Sequence, residues 1–142
     1  MRRIIMGAND DETVTRTQSS SQRGQVMANP NGRKGAAFET AVMKWLRSVG
    51  VLAERLTKTG AKDEGDLVVI IAGKTYVLEL KNRSTLALPE FWREAVAEAT
   101  HYAAARGLVA APPAVVIVKR RNAGIEDSWV IQSLDQWVAT NQ

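Results

Sequence analysis

Residues 66–81 read DLVVIIAGKTYVLELK and encode two strands joined by a turn. Residues 67–71 are apolar on both faces, which is typical of a central strand that is covered on both sides. The turn lies at 72–74, and residues 75–81 return as a strand whose positions 76, 78 and 80 face one side and 77, 79 and 81 the other. The tight turn makes the two strands antiparallel, so we expect residues near 66 to lie opposite residues near 80.

The rest of the chain alternates helices with strands around this hairpin. Apolar residues at spacings of three and four predict helices over 35–49 and 89–106, which Gly50 and Gly107 end. Further strands are predicted at 51–58, 114–118 and 128–132, and a short helix at 134–139. This order predicts one mixed α/β domain over residues 33–142. Residues 1–32 are polar and lack apolar periodicity, which predicts a flexible N-terminal arm.

The composition restricts the chemistry that the chain can perform. Its 142 residues are the size of one ordinary domain, and the lack of cysteine excludes disulfides and thiolate metal sites. A single histidine, His101, excludes sites with two histidine ligands, whereas Asp and Glu remain available for hard cations such as Mg²⁺. The net charge of +4 permits a polyanionic partner. No signal peptide or membrane-spanning stretch is recognisable, which predicts a cytoplasmic protein without a membrane partner.

Three carboxylates and a lysine are placed where they can form a site. Glu79 and Lys81 share one side of their strand, about 6.6 Å apart along it, and burying such charges is costly unless they are paired or bind a metal. Asp66 begins the opposite strand and converges with Glu79 at one end of the hairpin. Glu39 lies beside the apolar stripe of the 35–49 helix, where it can face the sheet. The alternatives are a solvent-exposed Glu79–Lys81 pair, a loop role for Asp66, and a Glu39 whose head stays in water.

An oxygen-rich site with a lysine favours Mg²⁺ or Mn²⁺ as its metal. Such a metal activates water and neutralises charge on a phosphoryl group, and a lysine ammonium can position the water or stabilise developing negative charge. These residue types therefore indicate hydrolytic phosphodiester chemistry.

Asp66, the Glu79-Leu80-Lys81 triplet thirteen residues later and the upstream Glu39 form a pattern that resembles the PD-(D/E)xK nuclease superfamily. The resemblance covers residues 33 to about 132 and implies a restriction-endonuclease-like α/β fold with an αβββαβ core, a mixed central sheet flanked by helices. The RKG sequence at 33–35 and the small size look most like archaeal-type Holliday-junction resolvases and their phage relatives. One departure is Gly65, which stands where the motif has proline.

The resemblance also implies roles for the site residues. Asp66, Glu79 and the Leu80 carbonyl would bind Mg²⁺, or Mn²⁺ in its place, and Glu39 would bind it directly or through water. Lys81 would orient the nucleophile. The resemblance also implies, less strongly, a role for a loop hydroxyl between the first two strands, that of Thr57 or Thr59.

Two residues of the 89–106 helix resemble a motif from a neighbouring branch of the superfamily. Glu98 and Tyr102 match the Gln-x-x-x-Tyr motif of recombination-exonuclease nuclease domains, except that Glu replaces Gln. Tyr102 also fits the apolar stripe of its helix, so the sequence assigns this pair little weight.

Basic residues lie close in sequence to the proposed acids and are candidate contacts to DNA phosphates. They are Arg33, Lys34, Lys58, Lys62 and Arg83, with Thr59 in the same loop, and KRR at 119–121 is a second basic run. The alternative for each is a role in solubility. No base-reading motif is recognisable, which favours recognition of DNA by shape.

The function that these features predict is that of a magnesium-dependent DNA endonuclease, a Holliday-junction resolvase. It would make paired cuts in four-way junctions as a homodimer, in the cytoplasm of a bacterium or of a phage-infected host. Trp129, Leu134 and Trp137, or the strand that begins at Ala114, are candidate dimer contacts. The alternatives are a PD-(D/E)xK exonuclease, a nicking or repair nuclease, or a DNA-binding module without catalysis.

Overall fold

A computed structural model describes residues 29–57 and 62–142 of the chain. Most of the predicted arm, as well as Lys58 and Thr59, lies outside the described residues. The helices and strands follow one another as α1 (Pro30–Ser48), β1 (Leu52–Arg55), β2 (Leu67–Ile71), β3 (Lys74–Lys81), α2 (Leu88–Ala105), β4 (Ala114–Val118), β5 (Trp129–Ile131) and α3 (Leu134–Thr140), with a short 3-10 turn at Ile125–Asp127.

The five strands form one sheet in the order β1-β2-β3-β4-β5. Strands β1, β2 and β3 pair antiparallel, β3 pairs parallel with β4, and β5 returns antiparallel to β4. A parallel pair needs a long crossover connection, and α2 provides it between β3 and β4. The predicted α/β class and the αβββαβ order are therefore confirmed.

The first helix begins earlier than its apolar pattern predicts. It starts at Pro30 rather than at residue 35, because the Asn29 side chain accepts a hydrogen bond of 3.1 Å from the Asn31 backbone and Pro30 occupies the first turn. Residues 30–32, predicted as the end of the arm, are thus helical. Strand β1 is shorter than the predicted 51–58, since it pairs with β2 only over Leu52–Arg55.

Each face of the sheet packs against one helix. Tyr76, Leu78 and Leu80 of β3 pack in a cluster with Phe38 and Val42 of α1. The alternate position Val77 belongs to a second cluster, in which α2 supplies Phe91, Ala95 and Ala99 and β4 supplies Val116 and Val118. The predicted alternation along β3 is therefore confirmed, and it puts Glu79 and Lys81 on the face that α2 covers. Within residues 29–57 and 62–142, no helix combines the length and the apolar character needed to cross a membrane.

Candidate active site

Asp66 and Glu79 meet at one end of the β2–β3 hairpin. Leu67 pairs with Leu78, so the residues before and after this pair, Asp66 and Glu79, are the next neighbours across the two strands. The Asp66 backbone N–H donates to the Leu78 carbonyl at 3.0 Å, and the Leu80 N–H donates to Asp66 Oδ2 at 2.7 Å. The convergence expected from the turn at 72–74 is thus confirmed. Because both the backbone and the side chain of Asp66 form hydrogen bonds with β3, the alternative of a simple loop role does not hold.

Glu79 and Lys81 form a buried ion pair. Lys81 Nζ lies 2.7 Å from Glu79 Oε1, and the two side chains are only 13% and 9% exposed. Lys81 also pairs with Glu94 of α2, and its ammonium lies 5.2 Å from the centre of the Phe91 ring. Burial is the largest single cause and lowers the pKa of Lys81, but the hydrogen bonds to Glu79 and Glu94 and the negative charges of these two acids together leave the pKa raised. The alternative of a solvent-exposed pair is therefore wrong, and Lys81 is a cation held between two acids.

The environment of Asp66 opposes its negative charge. Burial is the largest cause and the charge of Glu79 the second, and together they raise the pKa of Asp66 from 3.8 to about 7. The hydrogen bond from the Leu80 N–H acts in the opposite direction, while the charges of Glu39 and Asp63 add to the increase. A cation that enters the site would stabilise the ionised form of Asp66.

Glu98 of α2 is a third acid at the same end of the sheet. It is 8% exposed, and burial, followed by hydrogen bonding to Glu79, raises its pKa from 4.5 to about 10. Its Oε2 atom is buried without a hydrogen-bond partner. The sequence assigns Glu98 little weight, although a signal was present: a carboxylate occupies the apolar stripe formed by positions 91, 95 and 102. Glu94, which pairs with Lys81, was missed because nothing in the sequence distinguishes it from an ordinary surface acid.

Glu39 of α1 approaches the site from the other helix. It lines the same cleft as Asp66 and Glu79 and contributes to the electrostatic field at Asp66. Its Oε2 atom lies 3.6 Å from Arg55 Nε, and its side chain is 23% exposed. Glu39 thus lies at the edge of the site, with its charge partly shared by a neighbouring arginine.

The loop that leads into Asp66 is held against α2. His101 Nδ1 lies 2.8 Å from the Asp63 carbonyl oxygen, and Arg106 donates to the buried Glu64 at 2.8 Å. Gly65 has a φ of +97°, and a Cβ added there would lie only 2.7 Å from a methyl carbon of Val77. Proline, whose φ is near −65°, cannot adopt this conformation. The backbone conformation of this chain at Gly65 therefore excludes the proline of the motif.

Cations surround the acids in a cleft of about 980 Å³. Lys34 and Arg83, two of the predicted DNA contacts, line it, whereas Arg33 and Lys62 are exposed outside its lining. The second basic run, residues 119–121, lines the cleft as well, at the end of β4. Thr57 is exposed. Folding therefore concentrates part of the modest net charge around the carboxylates.

The donor atoms at the site fit a hard divalent cation. Among the described residues, no three Asp, Glu or His side chains are arranged as a ready-made metal cluster. The carboxylates of Asp66 and Glu79 are nevertheless adjacent, and after burial the charge of Glu79 is the second cause that raises the pKa of Asp66. With the nearby Leu80 carbonyl they form an all-oxygen donor set of the kind that Mg²⁺ and Mn²⁺ prefer.

The fold and the site together define an α/β protein with an αβββαβ core, in which a basic cleft surrounds a carboxylate pair and a lysine. No family model and no curated protein matches the sequence. One solved structure that is similar to the chain is that of Hjc, a Holliday junction resolvase from the hyperthermophilic archaeon Archaeoglobus fulgidus, at 20% sequence identity and a TM-score of 0.45. The similarity covers 70% of this chain and 88% of that one.

Proposed function

We propose that the protein is a magnesium-dependent DNA endonuclease that resolves Holliday junctions. The observation that carries the proposal is the convergence of Asp66, Glu79 and Lys81 at the end of one hairpin, inside a cleft lined by basic side chains. A merely structural role would not require the buried Glu79 and the half-buried Asp66 side by side, because the repulsion between the two carboxylates opposes folding.

Asp66, Glu79 and the Leu80 carbonyl would hold Mg²⁺, or Mn²⁺ in its place, with Glu39 at the edge of the site. The bound metal would supply Lewis-acid stabilisation of the phosphoryl group and lower the pKa of a bound water. Lys81 is positioned by Glu79 and Glu94, so its ammonium can hold the attacking water or stabilise the charge that develops on the phosphate.

Basic side chains on several elements would bind the DNA backbone. Lys34, Arg83 and the 119–121 run line the cleft around the acids, and phosphate contacts of this kind position DNA without reading its sequence. Arg33 and Lys62, which are exposed outside the lining of the cleft, would extend this surface, and we propose Lys58 and Thr59 as further DNA contacts from the sequence alone. The proposal therefore favours selection of a DNA shape over selection of a base sequence.

Paired cuts in a four-way junction require two active sites related by a two-fold axis, so we propose a homodimer. The two candidate contact regions differ in how much of their surface is exposed. Strand β4, which begins at Ala114, lies inside the sheet between β3 and β5 and is not a free surface. Trp129, Leu134 and Trp137 are 47%, 75% and 53% exposed. Sedimentation of the full chain would show whether it is a dimer.

The decisive experiment compares cleavage of a synthetic four-way junction with cleavage of linear duplex, flap and single strand. We expect symmetric cuts in the junction with Mg²⁺ and none in EDTA. Asp66→Asn and Glu79→Gln should abolish cleavage and preserve junction binding. Asp127→Asn and Glu54→Gln are matched controls at exposed positions outside the cleft and should cut normally.

Each outcome has a defined meaning for the proposal. Equal cutting of linear duplex and junction would favour a repair or nicking nuclease, and degradation from DNA ends would favour an exonuclease. If both site variants still cut, the assignment of Asp66 and Glu79 is wrong. Junction binding with no cleavage under any metal condition would leave only a DNA-binding module.

A further inference from the structure

An exposed tryptophan lies in the same cross-strand row as the lysine of the site. Lys81 of β3 pairs with Val118 of β4, and Val118 pairs with Trp129 of β5. Residues paired across a sheet share one face, and two strand spacings separate Trp129 from Lys81 by about 10 Å. Trp129 therefore lies beside the site, on the outermost strand of the sheet.

The neighbours of Trp129 confirm which face it occupies. Val118 and Ile131 pack with the cluster beneath α2, whereas Val130, between Trp129 and Ile131, lines an apolar groove on the α1 face. Trp129 thus shares the face of Glu79 and Lys81. Unlike Val118, it belongs to neither core cluster and is 47% exposed, so packing does not account for it.

A cation accompanies the ring. The guanidinium carbon of Arg120 lies 5.7 Å from the centre of the Trp129 ring, and Arg120 also lines the cleft that contains the acids. Arg120 therefore links the aromatic surface to the basic cleft. An exposed aromatic ring next to a cation at the border of a basic cleft is the arrangement on which proteins stack unpaired bases.

We propose that Trp129, flanked by Arg120, stacks an unpaired nucleotide base next to the cleavage site. This inference rests on the proposed nuclease function and adds to it a feature of the substrate: DNA with open bases close to the cut bond. A paired base offers its face only to its neighbours in the duplex, whereas an unpaired base can stack on the ring. Because every base has such a face, the contact selects open structure without selecting sequence.

The test measures binding of the full chain in EDTA by fluorescence anisotropy, with three labelled probes. They are an oligothymidine, a four-way junction carrying unpaired thymidines at its centre, and a linear duplex. Trp129→Ala should weaken binding to the oligothymidine and to the open junction about tenfold or more, and change duplex binding less than twofold. Trp129→Phe should retain most of the affinity. Trp45→Ala, at an exposed tryptophan on α1 that does not line the cleft, is the matched control and should bind as the unchanged protein does.

Intrinsic fluorescence gives a second readout. Oligothymidine should quench tryptophan emission in the unchanged protein and in Trp45→Phe, and this quenching should disappear in Trp129→Phe. The inference is overturned if Trp129→Ala binds the open probes normally, if it loses duplex binding equally, or if it instead dissociates a dimer in sedimentation. Loss of open-probe binding in a protein that cuts no DNA would refute the nuclease and retain the stacking site. If the unchanged protein cuts junctions and Trp129→Ala still binds the open probes normally, the stacking site is refuted and the nuclease function is retained.

Discussion

Replacement of Asp66 by asparagine should stabilise the protein at alkaline pH. The folded state raises the pKa of Asp66 to about 7 through burial and the charge of Glu79, whereas the ordinary value of 3.8 applies to the unfolded chain. Between these values the folded protein retains a proton that the unfolded chain has released. The contribution of Asp66 to the free energy of unfolding must therefore fall as pH rises from about 4 to about 7, and its full penalty applies above pH 7.

The size of the effect follows from the two pKa values. The difference between 3.8 and about 7 corresponds to at most about 4 kcal/mol. Because the cleft admits solvent, which screens the charges, we expect about half of this, roughly 2 kcal/mol, to be gained by Asp66→Asn at pH 8. The amide oxygen of the new side chain can still accept the hydrogen bond from the Leu80 N–H, so that contact is retained.

Urea denaturation in EDTA at pH 4 and at pH 8 measures this difference. Asp66→Asn should unfold with a higher free energy than the unchanged protein at pH 8 and with a nearly equal one at pH 4. Asp127→Asn, an exposed acid outside the cleft, should show no such pH-dependent gain. Millimolar Mg²⁺ at pH 8 should stabilise the unchanged protein and stabilise Asp66→Asn much less, because the neutral amide removes one of the two anionic ligands.

Two results would refute this reasoning. If Asp66→Asn lowers the free energy of unfolding equally at both pH values, Asp66 is stabilised by its neighbours and the repulsion argument fails. If Mg²⁺ stabilises both proteins to the same extent, the cation binds elsewhere and the carboxylate pair is not its site.

Three further changes test other parts of the site. Lys81→Met should lower single-turnover junction cleavage about 100-fold or more while junction affinity stays within a few fold; unchanged cleavage would remove Lys81 from the chemistry. Gly65→Ala should lower the free energy of unfolding by about 1–3 kcal/mol, because the new Cβ would contact Val77 too closely and the positive φ strains any side chain. Gly73→Ala, which also has a positive φ but open space around it, should lower the free energy of unfolding less. Equal losses in urea denaturation would contradict the close contact at Gly65. Arg106→Gln leaves the buried Glu64 carboxylate without its cation and should lower the free energy of unfolding by about 1–2 kcal/mol. Hydrogen exchange over residues 62–66 should become faster. Unaltered exchange would show that the loop is held by other contacts.

The sequence by itself determined the hairpin and the meeting of Asp66 with Glu79. A tight turn connects two strands of period two, so the register of the pair follows from residues that are close in the chain. The same local pattern put Glu79 and Lys81 on one side of β3. The start of α1 was missed because it depends on a cap at Asn29 and not on the apolar stripe.

Only the tertiary structure decided what surrounds these residues. Glu94 and Glu98 reach the site because α2 packs on that face of β3, and the 62–66 loop is held because the end of the same helix lies beside it. Trp129 lies in the row of Lys81 because β5 pairs with β4 in one particular register. These contacts join residues far apart in the chain, and the packing of helices on a sheet is set by the whole core, so no local pattern encodes them.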